Sequence, residues 1–128
     1  MDRLGNDYLS VDADAVVSGR AIPPALVGAG AEIAASAQVG SLVVLGDGAR
    51  VGEGSIVERA VVLQGAQIGE RCVVRDCIVA AGVRIGDRTQ VTGGAVLGEG
   101  VTIGADNVVT RGARVFPGVE IPDGGLKF

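Results

Sequence analysis

Aliphatic residues return at every sixth position along most of this chain, apart from two intervals of five. The series comprises Val27, Ile33, Val39, Leu45, Val51, Val57 and Leu63, then Ile68, Val74 and Ala80, then Ile85, Val91, Leu97, Ile103, Val109, Val115 and Ile121. Four positions after most of them stands a small or medium-sized residue: Ala49, Ser55, Cys72, Thr89, Ala95, Val101, Asn107 and Ala113. The unit reads aliphatic, Gly, two polar, small, variable, which indicates an internal repeat.

Side chains two positions apart lie on the same face of a short strand. The small residue of one unit and the aliphatic residue of the next therefore both point inward, and the Gly that follows lets the chain turn a corner. Three such units close one triangular coil. The pattern predicts an all-β protein, a left-handed parallel β-helix of hexapeptide repeats with about five to six coils between residues 21 and 121.

The two shortened units support this count, because Leu63–Gln67 and Ala80–Arg84 lie 17 residues apart. We expect both at the first corner of successive coils, where a turn tolerates a deletion better than a packed strand does. In this register Glu58 stacks beside Arg75, and Arg59 beside Asp76, which predicts ion pairs between coils.

The two ends depart from the repeat. Residues 1–20 are predicted to be an N-terminal cap or linker, with a short helix over Asn6–Val17 that Asn6 or Asp7 begins. Residues 21–128 are predicted to be the β-helix with a C-terminal cap. The aromatic residues and prolines expected in that cap are Phe116, Pro117, Pro122 and Phe128.

Composition narrows the classes of function. The formal net charge is −4 with scattered arginines, which excludes the basic footprint of a nucleic-acid-binding protein. No stretch has the roughly 20 apolar residues of a membrane span, and the N-terminus lacks a signal-peptide pattern, so a cytoplasmic protein is expected. Cys72 and Cys77 fit neither a disulfide framework nor a zinc site and are interpreted as reduced structural thiols.

Catalytic chemistry has few candidates in this sequence. It contains no His, which removes the commonest general base and metal ligand. No serine stands in a nucleophile-elbow pattern, and the Gly-rich strings lack the Lys of a phosphate loop. The column Glu53, Glu70 and Asp87 is interpreted as a solvated face rather than a cation site. We therefore predict no catalytic residue, no cofactor and no metal in this chain.

Two sets of surface residues are candidates for binding. Outward aliphatic residues at 17- or 18-residue spacing predict an apolar stripe for self-association, as a dimer or trimer: Val44, Val62, Val79 and Val96. Corner arginines are the candidates for phosphate contacts: Arg71, Arg88 and Arg111.

The run from Ser41 to Phe128 resembles the C-terminal β-helix of sugar-1-phosphate nucleotidyltransferases, and bacterial mannose-1-phosphate guanylyltransferases in particular. The resemblance is sharpest over Glu58–Asp87, ERAVVLQGAQIGERCVVRDCIVAAGVRIGD. It implies that catalysis belongs to a separate Rossmann-like domain, whose motifs do not occur here. It also implies a role in subunit association, in support of the catalytic domain and in regulation.

Three interpretations of function remain at this point. The first is a structural and oligomerisation module of such a nucleotidyltransferase, with a second copy and a catalytic domain as partners. The second is a regulatory domain that binds a nucleotide or nucleotide sugar. The third is a divergent hexapeptide-repeat acyltransferase that lacks the usual His.

Overall fold

The computed structural model describes residues 9–11 and 15–125. Short strands make up the regular structure of this part of the chain, and none of it is helical. In chain order the strands are β1 (Leu9–Val11), β2 (Val16–Val17), β3 (Arg20–Ala21), β4 (Ala25–Val27), β5 (Glu32–Ile33), β6 (Gln38–Val39), β7 (Val43–Leu45), β8 (Arg50–Val51), β9 (Ile56–Val62), β10 (Gln67–Ile68), β11 (Val73–Val79), β12 (Arg84–Ile85), β13 (Gln90–Val91), β14 (Val96–Leu97), β15 (Thr102–Ile103), β16 (Val108–Val109), β17 (Arg114–Val115) and β18 (Glu120–Ile121).

Every strand pairs in parallel with the strand one coil above or below it, as in a left-handed parallel β-helix. Three flat faces result. Face A holds β1, β4, β7, the second half of β9 and of β11, β14 and β17. Face B holds β2, β5, β8, β10, β12, β15 and β18. Face C holds β3, β6, the first half of β9 and of β11, β13 and β16.

We number the coils from the strand that each contributes to face A, so that β1 begins coil 1 and β17 begins coil 7. About six coils are complete, which confirms the predicted fold. The interior is filled by the repeat's aliphatic and small residues, and most of them are fully buried. Since no aromatic residue is needed to fill so narrow a triangle, the core reaches dense packing with Val, Ile, Leu and Ala.

The shortened units lie one corner earlier than the sequence pattern predicts. Val62 and Val79 are the inward residues, each with 0% of its surface exposed, whereas Leu63 is 39% exposed. The deletion therefore falls at the corner between faces C and A, around Arg59 and Asp76. There β9 and β11 run through the corner as strands of seven residues. The two strands pair on both sides of the corner, and Arg59 and Asp76, with left-handed φ values of 44° and 52°, lie outside the paired register at the corner itself.

The ends also differ from expectation. Residues 9–11 and 16–17 form strands that pair with coil 2, so the short helix expected over Asn6–Val17 is wrong for these residues; Asn6 and Asp7 lie outside the described residues. At the other end Phe116 is 75% exposed and does not cover the last coil. Phe128, the last residue of the expected cap, lies outside the described residues as well.

Turns within a coil are stabilised by Asp side chains from the coil that follows it in the sequence. Asp87 accepts a hydrogen bond from the backbone N–H of Glu70 at 2.9 Å. Its carboxylate occupies the place that a Cβ on Gly69 would need, so Gly is required at position 69. Asp47 and Asp123 make the same contact in their own coils. The Asp residues of the repeat thus replace water as partners for turn N–H groups.

Candidate functional site

The corner between faces B and C encloses a buried polar ladder. Ser55, Thr89 and Asn107 have no exposed surface. The Ser55 hydroxyl donates to the Gly69 carbonyl at 2.6 Å and accepts from the Cys72 N–H at 2.9 Å. Thr89 donates in the same way to the carbonyl of Gly104, at 2.8 Å. These hydrogen bonds join each coil to the next. Because the hydroxyl groups that make them are bonded within the fold, the ladder is structural.

Both cysteines belong to the core. Cys72 is fully buried and its thiol lies 3.0 Å from the carbonyl oxygen of Gly86. Burial raises the pKa of the Cys72 thiol, and it raises the pKa of Cys77 to about 12. Since the thiolate is the reactive form, neither residue has the character of a nucleophile at neutral pH.

The three arginines singled out as phosphate contacts do not converge. Arg71 and Arg88 stack in successive coils at the corner between faces B and C, both with left-handed backbone φ values, of 56° and 59°. Arg88 pairs with Asp106 through two hydrogen bonds of 2.8 and 3.2 Å. Arg111 lies at a different corner, between faces C and A. A single phosphate cannot contact all three.

The column of Glu53, Glu70 and Asp87 lies along the corner between faces B and C. Within residues 9–11 and 15–125, no group of three or more His, Cys, Asp or Glu side chains is placed to hold a metal ion. Asp87 is already used as an acceptor for the Glu70 N–H. The column is thus part of the turn structure.

Face A carries the largest run of exposed hydrophobic residues on consecutive coils. Leu26, Val44 and Ile78 are 41%, 38% and 45% exposed. Val61 and Val96 lie in the same row and are half-buried. We call these five residues the face A stripe. Strand register places them directly above one another, at the roughly 4.8 Å spacing of paired strands.

Two of the residues predicted for this stripe face the other way. Val44 and Val96 are outward as expected, but Val62 and Val79 belong to the core. A one-residue error in register inverts every side chain of a strand. Because the deletion lies before β9 and β11 reach face A, Val61 and Ile78 take the outward positions. A 17-residue step from Val44 to Val61, and again to Ile78, is the sequence signal that finds them.

A shallow recess of about 420 Å³ lies beside the stripe, where the two shortened coils meet the corner between faces C and A. Leu42 borders it on coil 3 and is 61% exposed. Gly94 borders it on coil 6. Arg59 and Asp76 lie between them, on coils 4 and 5. We call it the corner recess.

Two ion pairs between coils confirm the predicted stacking, and one of them, Arg59 with Asp76, lies in the corner recess. Arg59 Nε donates to Asp76 Oδ1 at 2.7 Å, and its Nη2 donates to the other carboxylate oxygen at 3.2 Å. Beside them, Arg75 Nε lies 3.0 Å from Glu58 Oε1, but without the alignment of a hydrogen bond. Arg59 and Asp76 are the charged residues that line the recess, so its formal charges cancel.

The hydrogen bond from Arg59 is the main reason that the pKa of Asp76 lies below its ordinary value of 3.8. Folding therefore favours the ionised carboxylate. The resulting stabilisation is complete above pH 3.8 and is lost as the pH falls through the lowered pKa. Both side chains are exposed, so the pair contributes little to folding in water and remains available for a partner.

Face B differs in chemistry. Its outward row is polar, and includes Arg50, Gln67, Arg84 and Thr102 along a groove of about 520 Å³. Arg50 Nε lies 3.8 Å from a carboxylate oxygen of Glu32. This face is suited to solvent. The outward row of face C includes Ile56, Val73 and Val108, but all three are half-buried. Face A has the more exposed aliphatic row, and its burial would release more ordered water.

The repeat, the three flat faces and the parallel register define a hexapeptide-repeat protein of the left-handed β-helix class. The chain belongs to the GMPPB C-terminal domain family, whose match covers residues 21–124. This membership confirms the resemblance to the β-helix of sugar-1-phosphate nucleotidyltransferases. No curated protein sequence matches the chain.

Solved structures share the fold. AntD, an N-acyltransferase from Bacillus cereus crystallised with dTDP and coenzyme A, superposes with a TM-score of 0.66 at 16% identity, over 77% of this chain and 68% of that one. At such identity the likeness shows the fold alone. A hexapeptide transferase family protein from Anaplasma phagocytophilum is 28% identical, with a TM-score of 0.56 over 88% of this chain and 72% of that one.

A third similar structure is the H141N mutant of perosamine N-acetyltransferase from Caulobacter crescentus, in complex with coenzyme A and GDP-perosamine. It is 29% identical, with a TM-score of 0.57 over 89% of this chain. Our chain spans only 50% of the length of that protein.

Within residues 9–11 and 15–125, no helix is long and apolar enough to cross a membrane.

Proposed function

We propose that this chain is the structural and self-association module of a cytoplasmic sugar-1-phosphate nucleotidyltransferase, of the mannose-1-phosphate guanylyltransferase kind. It performs no catalysis by itself, and its partners are further copies of the chain and a nucleotidyltransferase catalytic domain. Membership of the GMPPB C-terminal domain family supports this role in nucleotide-sugar biosynthesis.

The face A stripe is the observation that carries the proposal. Five aliphatic residues on five consecutive coils form a continuous apolar row, and three of them are more than a third exposed. Rows of this kind on soluble proteins are typical of interfaces. The β-helix behind the row is rigid, because each coil is joined to its neighbours on three faces. Association on such a surface needs little ordering of the chain.

An Ile78→Asp substitution tests the proposal. Ile78 is the most exposed residue of the stripe, so a carboxylate there would be desolvated on association. We expect the natural chain to sediment as a dimer or trimer at micromolar concentration, and the variant to sediment as a monomer with unchanged circular dichroism. Gln67→Asp introduces the same charge on face B and should leave the assembly intact. A natural chain that stays monomeric at high micromolar concentration contradicts the proposal.

Binding of a nucleotide sugar is a second candidate function, and one observation favours it. The perosamine N-acetyltransferase, at 29% identity, binds GDP-perosamine. On this chain Arg71 is the corner arginine best placed for a phosphate, since Arg88 is held by Asp106. The acyltransferase alternative, by contrast, has no imidazole in the sequence to act as the base.

Calorimetric titration with GDP-mannose separates the two candidates. If the chain is a structural module, we expect no heat of binding at millimolar ligand. A measurable heat that Arg71→Gln removes, and that the control Arg111→Gln does not, would instead favour the ligand-binding function. Arg111 is a suitable control because it lies at a different corner of the coil.

A further inference from the structure

The corner recess and the face A stripe are arranged symmetrically about the boundary between coils 4 and 5. Along the helix axis the recess presents Leu42, Arg59, Asp76 and Gly94, on coils 3 to 6. We propose that two copies of this chain pair face A against face A in antiparallel orientation. The two-fold axis runs along the strand direction between coils 4 and 5. This inference rests on the proposed self-association and specifies its geometry.

The charges of the recess are complementary to themselves under this rotation. Turning one copy about the strand direction reverses the order of its coils while keeping each corner on the same side. Arg59 then lies opposite Asp76 of the second copy, and Asp76 lies opposite Arg59 of the second copy. The two-fold axis thus produces two ion pairs between the copies, in addition to the pair within each copy. In an isologous dimer every contact occurs twice, once on each side of the two-fold axis.

The apolar residues follow the same rule. Val61 on coil 4 lies opposite Ile78 on coil 5 of the second copy, and the reverse contact repeats it. Leu42 projects from coil 3 with 61% of its surface exposed. It lies opposite Gly94 on coil 6 of the second copy, where no side chain competes for space. A projection therefore meets a gap on each side of the axis, as close packing requires.

A parallel arrangement lacks this complementarity. If the two-fold axis ran along the helix axis, the corner between faces C and A of one copy would meet the corner between faces A and B of the other. Arg59 and Asp76 would then lie against Leu63, which is 39% exposed, and against Ala80. Charges covered by apolar side chains lose their water without gaining a partner. Electrostatic complementarity therefore selects the antiparallel orientation.

Cysteine cross-linking distinguishes the two orientations. In the antiparallel dimer Val44 lies opposite Val96 of the second copy, at about the 10 Å that separates two packed sheets. The two Val44 residues are offset by a further three coils, roughly 14 Å along the helix axis. Because a disulfide requires Cα atoms within about 7 Å, a short bifunctional thiol reagent is used in place of oxidation. We expect an equimolar mixture of Val44→Cys and Val96→Cys chains to form a cross-linked dimer with bismaleimidoethane, and neither variant to do so alone. The natural chain, whose two thiols are buried, is the control.

Each other result overturns the proposal in a recognisable way. If Val44→Cys chains cross-link among themselves, the orientation is parallel. If no mixture cross-links although sedimentation still shows a dimer, the chains associate through another surface. If no mixture cross-links and the chains sediment as monomers, the proposed self-association fails together with its geometry. Thermal melting of both variants by circular dichroism establishes that each is folded before it is cross-linked.

Discussion

Replacing Val62 with Asp should unfold this protein, whereas the same change at Val61 should leave it folded. Val62 is fully buried in the core of coil 4, and Val61 faces outward from the same strand. A carboxylate at position 62 would lie among aliphatic side chains with no partner, at a cost on the order of 4 kcal/mol or more. That is a large part of the total stability of a domain of this size.

Circular dichroism and urea unfolding measure the difference. We expect Val62→Asp to lose its β-sheet signal or to unfold at a much lower urea concentration. We expect Val61→Asp to change the free energy of unfolding by less than about 1 kcal/mol. Val61→Asp should lose self-association alone. Equal effects of the two substitutions would mean that the register of β9 differs from the one described.

The same pair of residues shows how far sequence reasoning reaches. The repeat predicts the class of fold, the number of coils and most inward positions, because an aliphatic residue every six positions is compatible with few other structures. The positions of the two deletions are not determined by the repeat alone. Leu63 and Ala80 satisfy the six-residue spacing as well as Val62 and Val79 do. Only the pairing of β9 with β11 beyond the corner, which places Val62 beside Val79, decides between them.

The position of the two deletions affects which residues form the candidate site more than it affects the class of fold. Val44 and Val96 lie on coils whose register is unambiguous, and both are correctly predicted as outward. Val61 and Ile78 were missed because a shift of one residue exchanges the two faces of a strand. The two ion pairs in and beside the corner recess were predictable, since a 17-residue step aligns opposite charges in either register. The recess itself was not, because it arises from the shortened corner.

The buried ladder between faces B and C supports the second large effect. Small inward residues were expected there, but the sequence does not reveal that they hydrogen-bond between coils. Asn107 is the most engaged of them. Its side-chain Nδ2 donates to the carbonyl oxygens of Gly104 and Pro122, both at 3.0 Å. It joins coil 6 to the turn of coil 7, so its loss would affect the end of the helix that has the fewest neighbours.

Asn107→Asp should therefore destabilise the protein strongly, and more at pH 7 than at pH 4. The substitution replaces an amide donor with a carboxylate that faces carbonyl oxygens in a site with no exposure to solvent. Burial and these oxygens would raise the pKa of the new carboxyl above its unfolded value of about 3.9. A group with a raised pKa in the folded state loses stability as the pH rises through the interval between the two values. We expect a loss of about 3 kcal/mol at neutral pH.

Urea midpoints at the two pH values provide the measurement, and the neighbouring residue provides the control. Asp106→Asn makes the converse change one position earlier, on an exposed side chain that pairs with Arg88. Since exposed ion pairs contribute at most about 1 kcal/mol, this variant should lose little stability at either pH. An Asn107→Asp protein as stable at pH 7 as the natural chain would show that the amide is not enclosed by carbonyl groups. The ladder would then be incidental to the stacking of the coils, and hydrophobic burial alone would hold coil 7 on coil 6.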